Sequence, residues 1–117
     1  MTDRVSWTVE ATLKPGQADA FRDLMGEMVA STRDGEPGAQ RYEWFIADDS
    51  VHILETYTDA EAGLIHLGNL GQTFAERLMS LAELTRVCVY GEPTDELRAA
   101  LAGFGAEFRE PLGGFVR

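Results

Sequence analysis

The run Ala39-Gln40-Arg41-Tyr42-Glu43-Trp44-Phe45-Ile46-Ala47, then Asp48-Asp49, then Ser50-Val51-His52-Ile53-Leu54-Glu55-Thr56-Tyr57, constrains this chain more than any other stretch. Two segments rich in aromatic and β-branched residues flank an acidic pair, which reads as strand, tight reversal, strand. Period-two alternation puts Gln40, Tyr42, Trp44 and Ile46 on one face and Arg41, Glu43 and Phe45 on the other. A two-residue loop would set Ala47 opposite Ser50, Trp44 opposite Ile53 and Tyr42 opposite Glu55. Asp-Asp is a poorer reversal than Asp-Gly, and a one-residue slip would undo all three pairings.

Helical and extended patterns alternate around this hairpin. Val5 to Leu13 alternates apolar and polar residues without a break, a strand with two distinct faces, and Lys14-Pro15-Gly16 ends it. Gln17 to Arg33 follows with Phe21, Leu24, Met25, Met28 and Val29 on one helical stripe. The cluster Gly35-Glu36-Pro37-Gly38 turns the chain into the hairpin. Beyond the hairpin, Thr58-Asp59-Ala60-Glu61 predicts a helix start, with Thr58 or Asp59 as cap and the Thr-x-x-Glu spacing of a capping box. In that helix Leu64, Leu67 and Gly71 share a face, with Gly63, His66 and Leu70 beside them. Gly68 and Gly71 predict a break before Thr73. A further helical piece carries Phe74, Leu78 and Leu81, and Leu84 to Gly91 reads as a last strand.

The order strand, helix, strand, strand, helix, strand is the split βαβ, ferredoxin-like arrangement: an α+β fold with helices on one face of an antiparallel sheet. Its first and third strands are central, so Gln40–Ala47 falls at an edge that the tail or a second subunit must cover. Glu92-Pro93 marks the end of this core. Beyond it Thr94 caps a short helix through Leu101, a short strand is expected within 102–109, and the tail Pro111–Arg117 is apolar for a terminus. We therefore expect one domain over 1–117, with a core at 5–91 and a helix–strand extension at 93–117.

Charge narrows the function classes. The net charge of −10, with Lys14 the single lysine, argues against nucleic acid and anionic membranes as partners, since both are bound through clustered Lys and Arg. No apolar run is long enough to span a bilayer. The N-terminus, Met1-Thr2-Asp3-Arg4, carries no apolar leader before the first strand. One cysteine, Cys88, forms no internal disulfide and fits a reducing compartment, so a cytoplasmic protein is expected. The chain contains no dinucleotide fingerprint, P-loop, Cys/His metal cluster or nucleophile elbow.

Taken in order, Pro15-Gly16 after the first strand, Glu36-Pro37-Gly38-x-x-x-Tyr42 before the second, and Glu55-x-Tyr57-x-Asp59 leading to His66 resemble the antibiotic biosynthesis monooxygenase family. This family belongs to the dimeric α+β barrel superfamily and is similar to quinol monooxygenases; the match runs over residues 5 to about 91. The resemblance implies a homodimer with a pocket between sheet and helices in each subunit. It further implies oxidation of a small aromatic, quinol or anthrone by O₂ without metal, flavin or haem, the substrate's own anion reducing O₂. Haem-degrading relatives carry a further histidine; Leu70-Gly71-Gln72-Thr73 offers none.

Such chemistry needs an aromatic-lined pocket and one or two groups that move protons. His66 is the first candidate, its ordinary pKa near 6.5 suiting proton exchange at neutral pH, against the plainer role of a boundary histidine bonded to backbone. Glu55 shares a sheet face with Ile53, Tyr57 and Tyr42, where burial would turn it into a usable base. Its plainer role is a structural hydrogen bond from Tyr42 or a contact with a partner subunit. Tyr42, Trp44 and Tyr57 are the candidate substrate-binding residues, with Trp7 and Phe45 also able to stack; all could instead be sheet core. His52 is expected in solvent and Cys88 buried and unreactive. The function expected is a cofactor-independent monooxygenase. The alternatives are a non-catalytic dimeric ligand-binding or interaction module, and an isomerase or dismutase-like activity in the same pocket.

Overall fold

Burial along the first strand decides the layering. In the computed structural model, which describes residues 3–117, β1 (Val5–Leu13) buries Val5, Trp7, Ala11 and Leu13 while Ser6, Thr8, Glu10 and Thr12 stay partly exposed on the other face. Met1 and Thr2, the first residues of the N-terminal stretch read above, lie outside the described residues. The buried face receives α1 (Ala18–Gly35), which contributes Phe21, Leu24, Met28 and Thr32. Met25 and Val29, at the edge of the predicted stripe, are only half-buried. Leu24 is fully enclosed, which by area alone stabilises the helix–sheet contact by about 1.5–3 kcal/mol.

The hairpin forms in the predicted register. β2 (Ala39–Ala47) and β3 (Ser50–Tyr57) pair Ala47 with Ser50, Trp44 with Ile53 and Tyr42 with Glu55, with an irregularity near Gln40. Asp48 takes the left-handed conformation (φ 55°) that a two-residue reversal demands, which Asp tolerates better than most residues. β1 pairs antiparallel with β3 and with β4 (Ala82–Tyr90). β2 is an edge, as the topology requires.

Between β3 and β4 the structure departs from the sequence reading twice. Of the two expected caps Asp59 serves α2 (Ala60–Asn69), accepting the Ala62 N–H at 2.8 Å, but the expected capping box does not form. Glu61 then sits one place short of the capping-box position, and the Thr58 N–H is spent on the Gly38 carbonyl at 2.9 Å. The predicted break at Gly68 and Gly71 does not occur. The chain widens instead into a π-helical turn (Leu70–Phe74) and continues as α3 (Ala75–Leu81). Both glycines face open space, whereas the wider turn brings Leu70 and Phe74 against the core.

Two apolar clusters fill the space under the helices. Leu13, Phe21, Leu24, Met28, Ile53, Leu78 and Leu81 belong to the one beneath α1 and α3. Val5, Trp7, Tyr57, Val87 and Val89 form the other with Leu97 and Leu101 of α4 (Asp95–Ala102), whose N-cap Thr94 accepts the Leu97 N–H. The extension's helix thus packs on its own subunit. β5 (Glu107–Arg109) adds a fifth strand, parallel to β4, giving the order β2-β3-β1-β4-β5. That places the tail at the edge opposite β2, so within one chain it leaves the β2 edge uncovered. Leu112, Phe115 and Val116 of the tail are exposed. Among the described residues no helix is long and apolar enough to cross a membrane.

Candidate functional site

At the seam between the two clusters lie four buried polar side chains, two from β3, one from α2 and one from the end of α1. Glu55 and Tyr57 project from β3 towards the helices because they keep the phase of Val51 and Ile53. His66 is on α2, one turn beyond Gly63, and the missing side chain at Gly63 lets the helix settle on the sheet. A Cβ there would lie 3.1 Å from the Trp7 ring and 3.3 Å from Leu97. Glu36, the residue that ends α1, turns inward; its backbone N–H bonds the Thr32 carbonyl at 3.0 Å.

These side chains converge on one imidazole. His66 Nδ1 lies 3.0 Å from Glu36 Oε1, and His66 Nε2 lies 3.3 Å from Glu55 Oε1. Tyr57 donates its hydroxyl to Glu55 Oε1 at 2.6 Å, and Asn69 donates to the second Glu36 oxygen at 3.2 Å. The Tyr42 and His66 rings meet in a T-shaped arrangement at 5.1 Å between centroids, and the Tyr57 ring lies 5.2 Å from His66 while stacking on Trp7 at 4.6 Å. Glu36, Glu55 and His66 are each no more than 5% exposed. A histidine flanked this way is neither solvated nor a backbone-bonded boundary residue.

Environment separates the two carboxylates. Burial pushes the Glu55 carboxyl up from its ordinary value and the nearby Glu36 charge adds to this; His66, Tyr57 and Trp7 offset only part of the effect. Burial acts on Glu36 in the same direction, but the hydrogen bonds from His66 and Asn69 outweigh it and hold that carboxyl low. The Tyr42 and Tyr57 hydroxyls are pushed far up by burial and by the neighbouring Glu55 charge, so both remain neutral donors at any physiological pH. Two carboxylates driven apart around one imidazole are an arrangement in which one can hold a proton while the other stays ionised.

Glu55 and His66 open onto a cavity of about 40 Å³ lined by Trp7, Met28, Tyr42, Leu70, Leu101 and Phe104 among others. It holds roughly two or three water molecules; a benzene-sized guest takes on the order of 150 Å³. Phe104, 41% exposed, is the lining residue most open to solvent, so the extension supplies part of the outer wall. The two carboxylates take opposite nitrogens of one ring and cannot converge on a single ion. Among the described residues no group of three His, Cys, Asp or Glu side chains could hold a metal.

The structure thus brings His66, Glu55, Tyr57 and Tyr42 together, and moves Trp44 aside. Trp44 lies edge-on to Tyr42 at 5.6 Å and against Phe21 at 5.7 Å, and it lines a separate groove of about 110 Å³ with Met25, Phe45 and Ile46. Its Nε1 is buried without an acceptor among the described residues. Glu55 takes its hydrogen bond from Tyr57 rather than from Tyr42. Phe45 points to the opposite, exposed face; His52 is exposed with Glu10 at 3.6 Å; Cys88 is buried. Sequence reasoning missed Glu36 and Asn69 because Glu36 reads as part of a turn. One signal was available: an acidic residue closing a helix opposes the helix dipole and needs a compensating partner.

Comparison with known proteins agrees with this architecture. The sequence of residues 5–72 matches the family model described as antibiotic biosynthesis monooxygenase. No curated protein sequence gives a significant match. Among solved structures, MupZ from Pseudomonas fluorescens superposes with a TM-score of 0.88 at 28% identity, covering 97% of this chain and 94% of its own. That span necessarily takes in most of the C-terminal extension. SnoaB from Streptomyces nogalater, a cofactor-independent oxygenase, superposes at 0.66 with 20% identity over 79% of this chain and 95% of its own. Rv0793 from Mycobacterium tuberculosis gives 0.64 at 24% identity over 79% and 96%. With more than half of its length matched by the family model, the fold in agreement and the His66 cluster set between sheet and helices, the chain belongs to the antibiotic biosynthesis monooxygenase family.

Proposed function

We propose that this protein is a cofactor-independent monooxygenase acting on a small aromatic, quinol or anthrone-type substrate. Glu55 and His66 take the substrate's proton, Tyr42 borders the reacting ring, Tyr57 holds Glu55 through its hydroxyl, and Trp44 supports Tyr42 from behind. The observation that carries this reading is Glu55 Oε1 at 3.3 Å from His66 Nε2 at the edge of an apolar cavity. There a carboxylate has lost its water shell and holds a proton more strongly than in solution. Removal of a proton from the substrate leaves an anion that reduces O₂. For an anthrone-type methylene the balance is CH₂ plus O₂ to C=O plus water, one oxygen atom entering the substrate. Family membership and the oxygenase SnoaB as a structural neighbour support the same reading. A ring-sized substrate enlarges the cavity, and the Phe104 wall is the side from which it enters.

Oxygen uptake by metal-free, flavin-free protein, measured with a panel of quinols and anthrones, tests the proposal. Turnover that is lost in His66→Ala and Glu55→Gln is expected. Full turnover by His66→Ala, or none on any compound by the unaltered protein, would sink it. A second reading is favoured by the pairing itself: a histidine between two carboxylates is complete for proton-transfer isomerisation, which consumes no O₂. Conversion of a substrate without oxygen uptake would select that reading, and saturable binding without conversion would select a ligand-binding module.

In this reading the protein works in the cytoplasm as a homodimer. The buried single cysteine fits a reducing compartment, and the uncovered β2 edge with Phe45 and Ile46, together with Leu112, Phe115 and Val116, gives a second copy apolar surface to cover. Sedimentation at micromolar concentration should return twice the chain mass; a strictly monomeric species would contradict it.

A further inference from the structure

We infer that Glu36 is a positioning residue that fixes the tautomer of His66, holding a proton on Nδ1 so that Nε2 is the nitrogen that exchanges protons with Glu55 and the cavity. This rests on the reading of His66 and Glu55 as the proton-handling pair. A neutral imidazole presents one donor and one acceptor, and the partner of one nitrogen decides the role of the other. Glu36 is placed to decide it. Its Oε1 is 3.0 Å from Nδ1, and its Oε2 is held at 3.2 Å by Asn69, so the carboxylate is tied at both oxygens. It is anchored by the turn that ends α1 and not by a mobile loop: Ala39 N–H bonds the Glu36 carbonyl at 3.0 Å, and Thr58 N–H bonds the Gly38 carbonyl at 2.9 Å.

The two sides of the ring are unequal in surroundings as well as in distance. Glu55, with the Tyr57 hydroxyl on its Oε1, borders the inner cavity with His66 and Tyr42. Glu36 does not border that cavity; it lines a separate outer groove of about 310 Å³ with Thr32, Arg33, Arg41 and Tyr42. A carboxylate kept away from the substrate and ionised by its donors serves as a fixed acceptor for Nδ1–H, the role a second carboxylate plays behind many acid–base histidines. The exchangeable proton of the site then lies between Nε2 and Glu55, where a substrate can reach it. With Nδ1–H constant, proton uptake converts the Nε2 lone pair to N–H and proton release reverses it. No other bond is made or broken.

Nitrogen NMR of His66 in ¹⁵N-histidine-labelled protein tests this without any substrate, with His52→Gln used for assignment. In the unaltered protein the neutral ring should show a protonated-type resonance for Nδ1 and an unprotonated-type resonance for Nε2. A neutral ring carrying its proton on Nε2 would overturn the inference from the unaltered protein alone. Glu36→Gln should shift a substantial share of the neutral ring to the Nε2–H tautomer, because a glutamine can turn its amide N–H towards Nδ1. An unchanged tautomer in a folded Glu36→Gln protein would also overturn it. Where a substrate has been found, Glu36→Gln should lower kcat on the order of 10²-fold or more with KM little changed. Failure of the proposed oxidation would leave the tautomer result standing, so the two failures are distinguishable.

Discussion

Gly38 and Ala62 touch without room for a methyl group between them: a Cβ on Gly38 would fall 2.5 Å from Ala62 Cβ and 3.3 Å from Thr58 Cγ2. This contact presses the Glu36 turn onto α2 and so sets the reach from Glu36 to His66, four residues beyond Ala62. Ala62 is in the first turn of a capped helix and its Cβ is rigid, so the backbone itself has to move. Gly38→Ala should destabilise the fold by about 1–3 kcal/mol, the usual cost of overpacking. Urea unfolding measures it, and stability equal to that of the unaltered protein would show that the turn has slack. The same substitution should lengthen the Glu36–His66 contact, seen as a change in the His66 nitrogen signals.

The opposed shifts of Glu36 and Glu55 give stability two distinct pH dependences. Glu36 is held below its ordinary 4.5, so the folded state binds its proton less well than the unfolded state does. The stabilisation from Glu36 is therefore complete above about 4.5 and is lost as pH falls towards its lowered value. Glu55 is raised above 4.5, so the folded state binds that proton better. Its contribution is complete below about 4.5 and is lost as pH rises through the raised value. Urea unfolding across pH should show Glu36→Gln removing part of the loss on the acid side and Glu55→Gln removing part of the decline above 4.5. The opposite assignment of the two slopes would mean that the carboxylates have exchanged roles.

Much of this arrangement was legible in the residues, for identifiable reasons. The Tyr42–Glu55 and Trp44–Ile53 pairs followed from loop length and period two alone, which are local rules. The edge position of β2 followed from topology. What failed were the places where a local rule lost to tertiary packing. Gly68 and Gly71 signal a break, but the π turn that seats Leu70 and Phe74 carries the helix through. Thr58 has the spacing of a capping box, but its N–H is claimed by Gly38. Glu36 was invisible as a site residue because its partner is 30 positions away, on an element whose tilt no local pattern reveals. Trp44 shares a strand face with Tyr42, yet the twist of the sheet edge places the two in different hollows.

Tyr57 supplies the shortest hydrogen bond of the site, 2.6 Å to Glu55 Oε1, from a side chain with no solvent exposure. Tyr57→Phe keeps the ring on Trp7 and removes only the donor. The Glu55 carboxylate, already desolvated, then loses a group that favours its ionised form, so its proton affinity should rise further. A midpoint displaced upward in a ¹³C carboxyl titration is the expected result; a midpoint that moves down would mean that the hydroxyl serves the protonated acid instead. Stability at neutral pH should fall by about 1–3 kcal/mol, the cost of leaving a buried acceptor short of a partner.

Trp44 offers the contrasting case, a buried donor that no described residue receives. Its Nε1 has no acceptor among the described residues, while its ring packs between Phe21 and Tyr42. Trp44→Phe loses part of that contact area but also removes a desolvated N–H, whose burial costs roughly 1–3 kcal/mol. The two effects oppose each other, and the net change in unfolding free energy should stay within about 1 kcal/mol. Trp44→Ala gives up the packing as well and should cost about 3–5 kcal/mol. Equal losses in the two variants would show that the indole N–H, not the ring, holds Trp44 in place, and would require an acceptor there in the working protein. If Trp44 only supports Tyr42, the phenylalanine variant should also keep the His66 nitrogen signals of the unaltered protein, because the ring against Tyr42 is retained.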